Sequence, residues 1–302
     1  MSISINDIQD YLNLIFPSFE RVDLDSKIEK YKKEFADKVI SQDDYFLIRN
    51  EKGHQVLASR IFKIESDKYA LQIPIFCEKD TKALNQLFSQ VKERLVALRG
   101  RALVCRMAHD EKYDFLKPEM LKFGFKVIGN RVEYKTQIQN LDFSSHGESP
   151  LEWISPLVDN SMSFDEVADF MEAVAQDDPD FNQETDNAKE CLESYLSEAG
   201  LYNQKDCLQI GFLKGENFPC CFIVAQVESS SGWSRITYMG VHPDFRSKGL
   251  GTWVQRHGVQ MLKKQGGTEY HGGTNLNNKA MQAVFEKNGC QFFRSLSEWQ
   301  LD

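Results

Sequence analysis

The chain has 302 residues, 41% hydrophobic and 27% charged, with a formal net charge of -9. That length supports a sizeable core and exceeds one small domain, so two domains are expected. No apolar run is long enough to cross a bilayer, and the acidic balance argues against a general nucleic-acid binder, which would carry a basic stripe.

Seven cysteines form no CxxC pair, and an odd number fits a disulfide framework poorly. Cys220 and Cys221 are adjacent in a predicted strand, where alternation sends them to opposite faces and keeps them from clasping one ion together. Buried thiols and no metal are therefore predicted. The opening residues MSISINDIQDYLNLIF place no basic region before an apolar one, so a cytoplasmic location is expected.

In chain order, the first half reads as strand YALQIPIF (69–76), helix TKALNQLFSQVKERL (81–95) and strand GFKVIGNRVEYK (124–135). The polar segment NLDFSSHGESP (140–150) then separates two stretches of mixed pattern, giving lobes 1–145 and 150–302. In the second half, Ser163 three residues before Glu166 forms a capping box, and Phe164, Val167, Ala168, Met171 and Val174 follow at helical spacing. A second helix carries Ala188, Cys191, Leu192, Tyr195 and Leu196 on one face and stops at Gly200. Strands CLQIGFL (207–213) and CCFIVAQV (220–227) flank the turn KGENFP, and SRITYMGV (234–241) follows. Trp253, Val254, His257, Met261 and Leu262 mark a helix from Thr252 to the glycines 266 and 267. A strand over Glu269–Gly272, a helix over Asn278–Lys287 and a last strand CQFFRSLSEWQL (290–301) complete the order.

The halves align at a shift of 165 residues: Gly124 falls on Gly289, Glu133 on Glu298 and Tyr134 on Trp299. At that shift YALQIPIF falls on SRITYMGV, and the first-half helix falls on the one led by RSKGLG. Gly249 then matches Leu84, and Gly251 matches Gln86. The predicted class is α/β (α+β): two tandem lobes, each a mixed, mostly antiparallel sheet flanked by helices.

The run VHPDFRSKGLG (241–251) turns a strand directly into a helix. Such a start leaves backbone N–H groups unpaired and pointing one way, at the positive end of the helix dipole. Glycine there lets a phosphate approach the amides, and Arg246 and Lys248 are expected to supply countercharge. The spacing is neither GxxxxGK[ST] nor GxGxxG.

These residues resemble the GNAT superfamily of acyl-CoA N-acyltransferases. Val241, Pro243, Arg246, Gly249, Leu250 and Gly251 stand where that family's pyrophosphate motif places them, and Asn278, Phe285, Lys287 and Gly289 match its second signature. The resemblance is strong over about 205–302, weaker over 151–204 and degenerate before that. It implies acetyl-CoA as co-substrate, held by amides of Arg246, Ser247, Lys248, Gly249, Leu250, Gly251 and Thr252. Pantetheine would lie on the strand edge at Met239 and Val241, with Asn278 and Phe285 in the cofactor site. Leu84 and Gln86 would obstruct phosphate in the first lobe, which is expected to bind no CoA and to wall the acceptor pocket.

The family often uses a tyrosine on the last helix to protonate the leaving thiolate, and Phe285 stands there. Strand alternation puts Arg235, Thr237, Met239 and Val241 on one face, which the resemblance makes the acceptor face, and turns His242 away. Thr237 to align a water and His271 as base or acid are the catalytic candidates. The backbone N–H of Val241 is the candidate oxyanion donor, and Tyr195, Tyr202 and Tyr270 stay unranked as acids. The acidic run QDDPDFNQETD (176–186) reads either as a lure for a cationic amine or as a solvated loop with capping carboxylates.

The expected function is acetyl transfer from acetyl-CoA to an amine of a small molecule or peptide, with no nucleic-acid or membrane partner, by a monomer or homodimer. Two alternatives stand beside it: a CoA-binding or sensing module without turnover, and a transferase of a longer acyl or aminoacyl group. For the latter, Phe285, Met239 and Met281 would shape a larger pocket.

Overall fold

The computed structural model describes residues 41–63, 68–77, 79–100, 102–141, 147–181, 187–197, 207–227 and 233–302, with positions 7, 11, 29, 32 and 33. In chain order the first half holds β1 (Tyr45–Arg49), β2 (Gln55–Lys63), β3 (Lys68–Leu71), β4 (Ile75–Phe76), α1 (Thr81–Ala97), β5 (Ala102–Ala108), α2 (Leu116–Phe123) and β6 (Lys126–Gln137). Next come β7 (Leu151–Ile154), α3 (Phe164–Ala175), α4 (Ala188–Ser197), β8 (Leu208–Leu213), β9 (Pro219–Val227) and β10 (Trp233–Val241). The chain closes with α5 (Leu250–Lys264), β11 (Glu269–Asn275), α6 (Lys279–Lys287) and β12 (Gln291–Leu301). No described helix is long and apolar enough to cross a membrane.

Two compact units result: Met1–Asn130 with Leu296–Asp302, and Arg131–Ser295. The linker segment 140–150 therefore lies inside the second unit, because each unit takes a last strand from the other half of the chain. In the first unit the order is β1, β2, β3, β5, then residues 296–301 of β12 antiparallel on β5. In the second it is β7, β8, β9, β10, β11, then residues 131–137 of β6 antiparallel on β11.

Both sheets contain one parallel step, β3 on β5 and β10 on β11, among antiparallel neighbours. Lys68 pairs with Ala102 and Trp233 with Glu269, so the second copy holds two more residues between its parallel strands. An even insertion preserves which face each side chain takes. The 165-residue shift thus carries β3 onto β10 and β5 onto β11 with the same neighbours.

In the first unit α1 buries Ala83, Leu84, Leu87, Phe88, Val91 and Leu95 at spacings of three and four, against Leu103, Met107, Phe125 and Trp299. Gly124, at φ 106°, ends α2 in the left-handed conformation that glycine tolerates. In the second unit α3 starts at the expected capping box, with Ser163 and Glu166 bonded both ways. Its buried face and that of α4 meet Leu208, Ile210, Phe222, Val224 and Tyr238 on one side of the sheet. On the other side α5 and α6 cover Ile223, Ala225 and Tyr270. The expected stop of α4 at Gly200, and Tyr202, lie outside the described residues.

Candidate functional site

β10 carries a bulge. Ile236 pairs with Ala225 and Tyr238 with Val224, leaving Thr237 without a partner on β9. One extra residue reverses the alternation beyond it. Met239 and Val241 consequently pack with Ile236 on the α5 side, whereas Tyr238 belongs to the α3 and α4 core. Arg235 and Thr237 meet the buried Gln226, whose amide oxygen accepts from Arg235 Nε at 2.6 Å and Thr237 Oγ1 at 2.9 Å. The single face expected for Arg235, Thr237, Met239 and Val241 is thus split in two. His242 turns its ring parallel to Phe170 of α3, 6.2 Å between centroids.

His242 N–H donates to Cys220 O at 2.9 Å. In an antiparallel ladder this directs the main-chain groups of Gly240 and His242 toward β9 and those of Met239 and Val241 the opposite way. The parallel ladder to β11 comprises only residues 233–235 with 269–271, although both strands continue. Beyond Arg235 and His271 the main-chain edge of β10 is open toward β11.

The loop that follows turns twice through left-handed backbone, at Ser247 (φ 62°) and Gly249 (φ 75°), and α5 starts at Leu250 rather than Thr252. No side chain caps it. The amide of Arg246 donates to Pro243 O and that of Thr252 to Gly249 O, so the ends of the expected cradle are engaged within the chain. Ser247 to Gly251 form its centre. A Cβ on Gly249 would meet nothing within 4 Å, while one on Gly251 would lie 3.3 Å from Val284 Cγ2 of α6. Gly249 serves the turn, and Gly251 serves helix packing.

Arg246, expected as countercharge, is bonded to main-chain carbonyls. Its Nε donates to Val241 O at 3.0 Å, and its Nη2 to Val174 O at 3.0 Å and to Gln176 O, so the guanidinium ties the end of α3 to the end of β10. Lys248 stays at the surface, its Nζ on Asp244 O at 3.2 Å and 5.0 Å over the Phe245 ring.

The acidic loop after α3 spans the opening between the strands. Asp178 accepts from Tyr238 Oη on β10 at 3.0 Å. Asp180 accepts from Thr274 Oγ1 and, at 2.7 Å, from Asn275 N–H on β11; Asn278 Nδ2 (3.0 Å) and Arg131 Nη1 (3.1 Å) also reach it. Burial raises the Asp178 carboxyl pKa and the neighbouring Asp180 adds to it, while burial and Asp178 raise that of the Tyr238 phenol. These two carboxylates are partly buried and bonded within the chain, and residues 182–186 of the run lie outside the described residues.

The sequence profile of the Acetyltransferase (GNAT) family matches residues 165–290. Residues 165–290 form a GNAT domain. Solved structures extend the likeness in fold over the whole chain. A GCN5-related N-acetyltransferase from Sphaerobacter thermophilus is 11% identical, with TM-score 0.68, covering 99% of this chain and 94% of that one. A tandem GNAT protein from the clavulanic acid biosynthesis pathway is 10% identical, with TM-score 0.61, covering 98% and 94%. A putative acetyltransferase from Pyrococcus horikoshii is 12% identical, with TM-score 0.53, covering 100% and 88%. No curated protein matches the sequence.

Within the GNAT domain, Asn278 caps α6 through Met281 N–H at 3.0 Å and spends its amide on Asp180. Phe285 is 1% exposed and stacks on Tyr134 of β6, 4.7 Å between centroids. His271 sits on the last paired rung, opposite Arg235, not at the strand end, and its Nε2 is bonded to Glu269. Burial raises the pKa of Tyr270, whose hydroxyl accepts from Gln255 Nε2 at 3.3 Å. Tyr195 stacks near Tyr238, 6.3 Å away.

One network escaped sequence reasoning. Asn288 donates to Thr252 O (3.0 Å) and Gln255 Oε1 (2.7 Å) and accepts from Arg256 Nε (2.8 Å), fixing the first turn of α5 to the end of α6. Its only trace in the sequence is a set of polar residues at core-facing helix positions. Among the described residues no three metal-ligating side chains converge.

Proposed function

We propose that the chain is an acetyl-CoA-dependent N-acetyltransferase whose GNAT domain binds the donor and whose first unit binds none. The observation that carries this reading is the uncapped start of α5, with left-handed Ser247 and Gly249 before it, at the end of a strand whose outer edge is open. Backbone N–H groups of Ser247 to Gly251 suit a diphosphate, and the outward groups of Met239 and Val241 suit an amide-bearing arm. Acetyl-CoA supplies an activated acyl carbonyl. The chain's task is to hold that carbonyl by an N–H such as that of Val241, to admit an amine, and to remove its proton.

For the proton, a water aligned by Thr237 or the His271–Glu269 pair is proposed, with the acceptor a small-molecule or peptide amine. In the first unit Asp80 accepts from Lys82 N–H at 2.8 Å and Ala83 N–H at 3.2 Å, placing a carboxylate where an anion would bind. Leu84 lies in the core and α1 already begins at Thr81, so the side chain at the helix start is Asp80, and not Leu84 or Gln86.

The test is release of free thiol from acetyl-CoA across a panel of amines, for the wild type and His271→Gln. Amine-dependent release supports transfer, and a flattened pH profile in the variant assigns the proton to His271. A second reading, a CoA-binding module without turnover, is favoured by Phe285, which carries no proton and is sealed by Tyr134. Binding of acetyl-CoA without thiol release from any amine would select it.

A further inference from the structure

Cys220 and Cys221 do not take opposite faces. On β8, Gly211 pairs with Cys221 and Phe212 with Pro219, so Cys220 is an extra residue in a second bulge. Both side chains enter the core on the α5 side, with their Sγ atoms 3.6 Å apart. The Cys220 thiol also reaches Gly211 O at 3.3 Å, which leaves its lone pairs to the Cys221 S–H. The strand alternation that would separate two adjacent cysteines is suspended at this one position of β9.

We propose that Cys220 and Cys221 are a dithiol that closes to a vicinal disulfide on two-electron oxidation by hydrogen peroxide. The Cys220 thiolate attacks one peroxide oxygen and releases hydroxide, leaving a sulfenic acid. The Cys221 thiol then attacks that sulfur; its proton and the sulfenic oxygen leave as water, and the S–S bond forms. In sum, two thiols and one peroxide give one disulfide and two waters. The order is set by the neighbours: the hydrogen bond from Cys221 favours the Cys220 thiolate and lowers its pKa, with Lys248 adding to it, whereas the same contact and burial raise that of Cys221. Both thiols are buried, but only the half-buried Pro219 separates Cys220 from the exposed turn 214–218, and peroxide is little larger than water. The inference does not depend on the acyltransferase reading.

The experiment is peroxide titration of the full chain followed by alkylation, intact mass and peptide mapping, on wild type, Cys220→Ser and Cys221→Ser. The exposed Cys77 serves as internal control. Expected is a loss of about 2 Da on the peptide holding both cysteines, reversed by dithiothreitol and absent from both variants. Additions of about 16 or 32 Da that stay on Cys220, a cross-link to another cysteine, or an unaltered pair at a peroxide level that oxidises Cys77 would overturn it. The wild-type map decides even where a variant fails to fold.

Discussion

The strand-to-helix turns of the two units share one topology and differ in what meets the helix. Asp80 places its carboxylate on the first amides of α1, whereas α5 follows Gly249 with no side chain at its start. A helix start attracts an anion in either case. The first unit supplies that anion covalently and gains a cap; the second leaves the place open and forgoes one. The same backbone plan is thus a stability element in one copy and a candidate binding site in the other.

The largest expected effect comes from making the second turn resemble the first. Gly249→Asp brings a carboxylate into the cradle and is expected to weaken acetyl-CoA binding by about a hundredfold or more, the cost of facing like charges. Gly249→Asn bears the same left-handed strain without the charge and should stay within about tenfold, since Asn tolerates that conformation. Calorimetric titration of both variants checks this; equal losses would assign the effect to strain.

Arg246 has no such multiply bonded counterpart at the first turn, where Thr81 takes its place at the 165-residue shift. Arg246→Ala removes a charged donor from the carbonyls of Val241, Val174 and Gln176 and should cost about 2 kcal/mol of stability, read by denaturant unfolding. An unchanged midpoint would mean that these carbonyls find water instead.

The units should also differ in acid. His257 on α5 stacks on Trp153 at 4.0 Å, and burial, with Lys264 nearby, lowers its pKa from 6.5 to about 4, while Lys92 at the matching position of α1 is exposed. The folded state therefore takes up this proton less readily than the unfolded chain, and stability falls as pH drops from 6.5 through about 4. His257→Gln should flatten that slope, measured by unfolding midpoints across the window.

The smallest effect is at the first turn itself. Asp80→Ala should cost about 1 kcal/mol through loss of the cap. It should confer no acetyl-CoA binding, because Leu84 and Leu87 keep α1 locked on its core. A gain of binding by this variant would show that the carboxylate alone closes the first unit.

Element order after α3 was legible because apolar spacing sets helices and strands, whereas β1, β2, β5, α2 and β7 were not read and the expected strand 69–76 is split into β3 and β4. What failed were arguments that count residues through a strand. A bulge at Thr237 moved Met239 and Val241 to the other face, and a bulge at Cys220 put two neighbouring thiols on one face. Neither bulge has a glycine or proline at the extra residue to announce it. The exchange of last strands was equally silent, since Arg131–Gln137 and Leu296–Leu301 suit either sheet. Charge was read by sign, not by partner. Arg246 and Asp180 are charged residues at the expected place, yet both spend their charge on the chain's own groups.

The most direct test is hydrogen exchange across the full chain with and without saturating acetyl-CoA. Protection is expected at residues 239–252 and at neither the β3–α1 turn nor the start of α1. Protection at 72–84, or none along 239–252 despite binding, would contradict the contrast between the two turns.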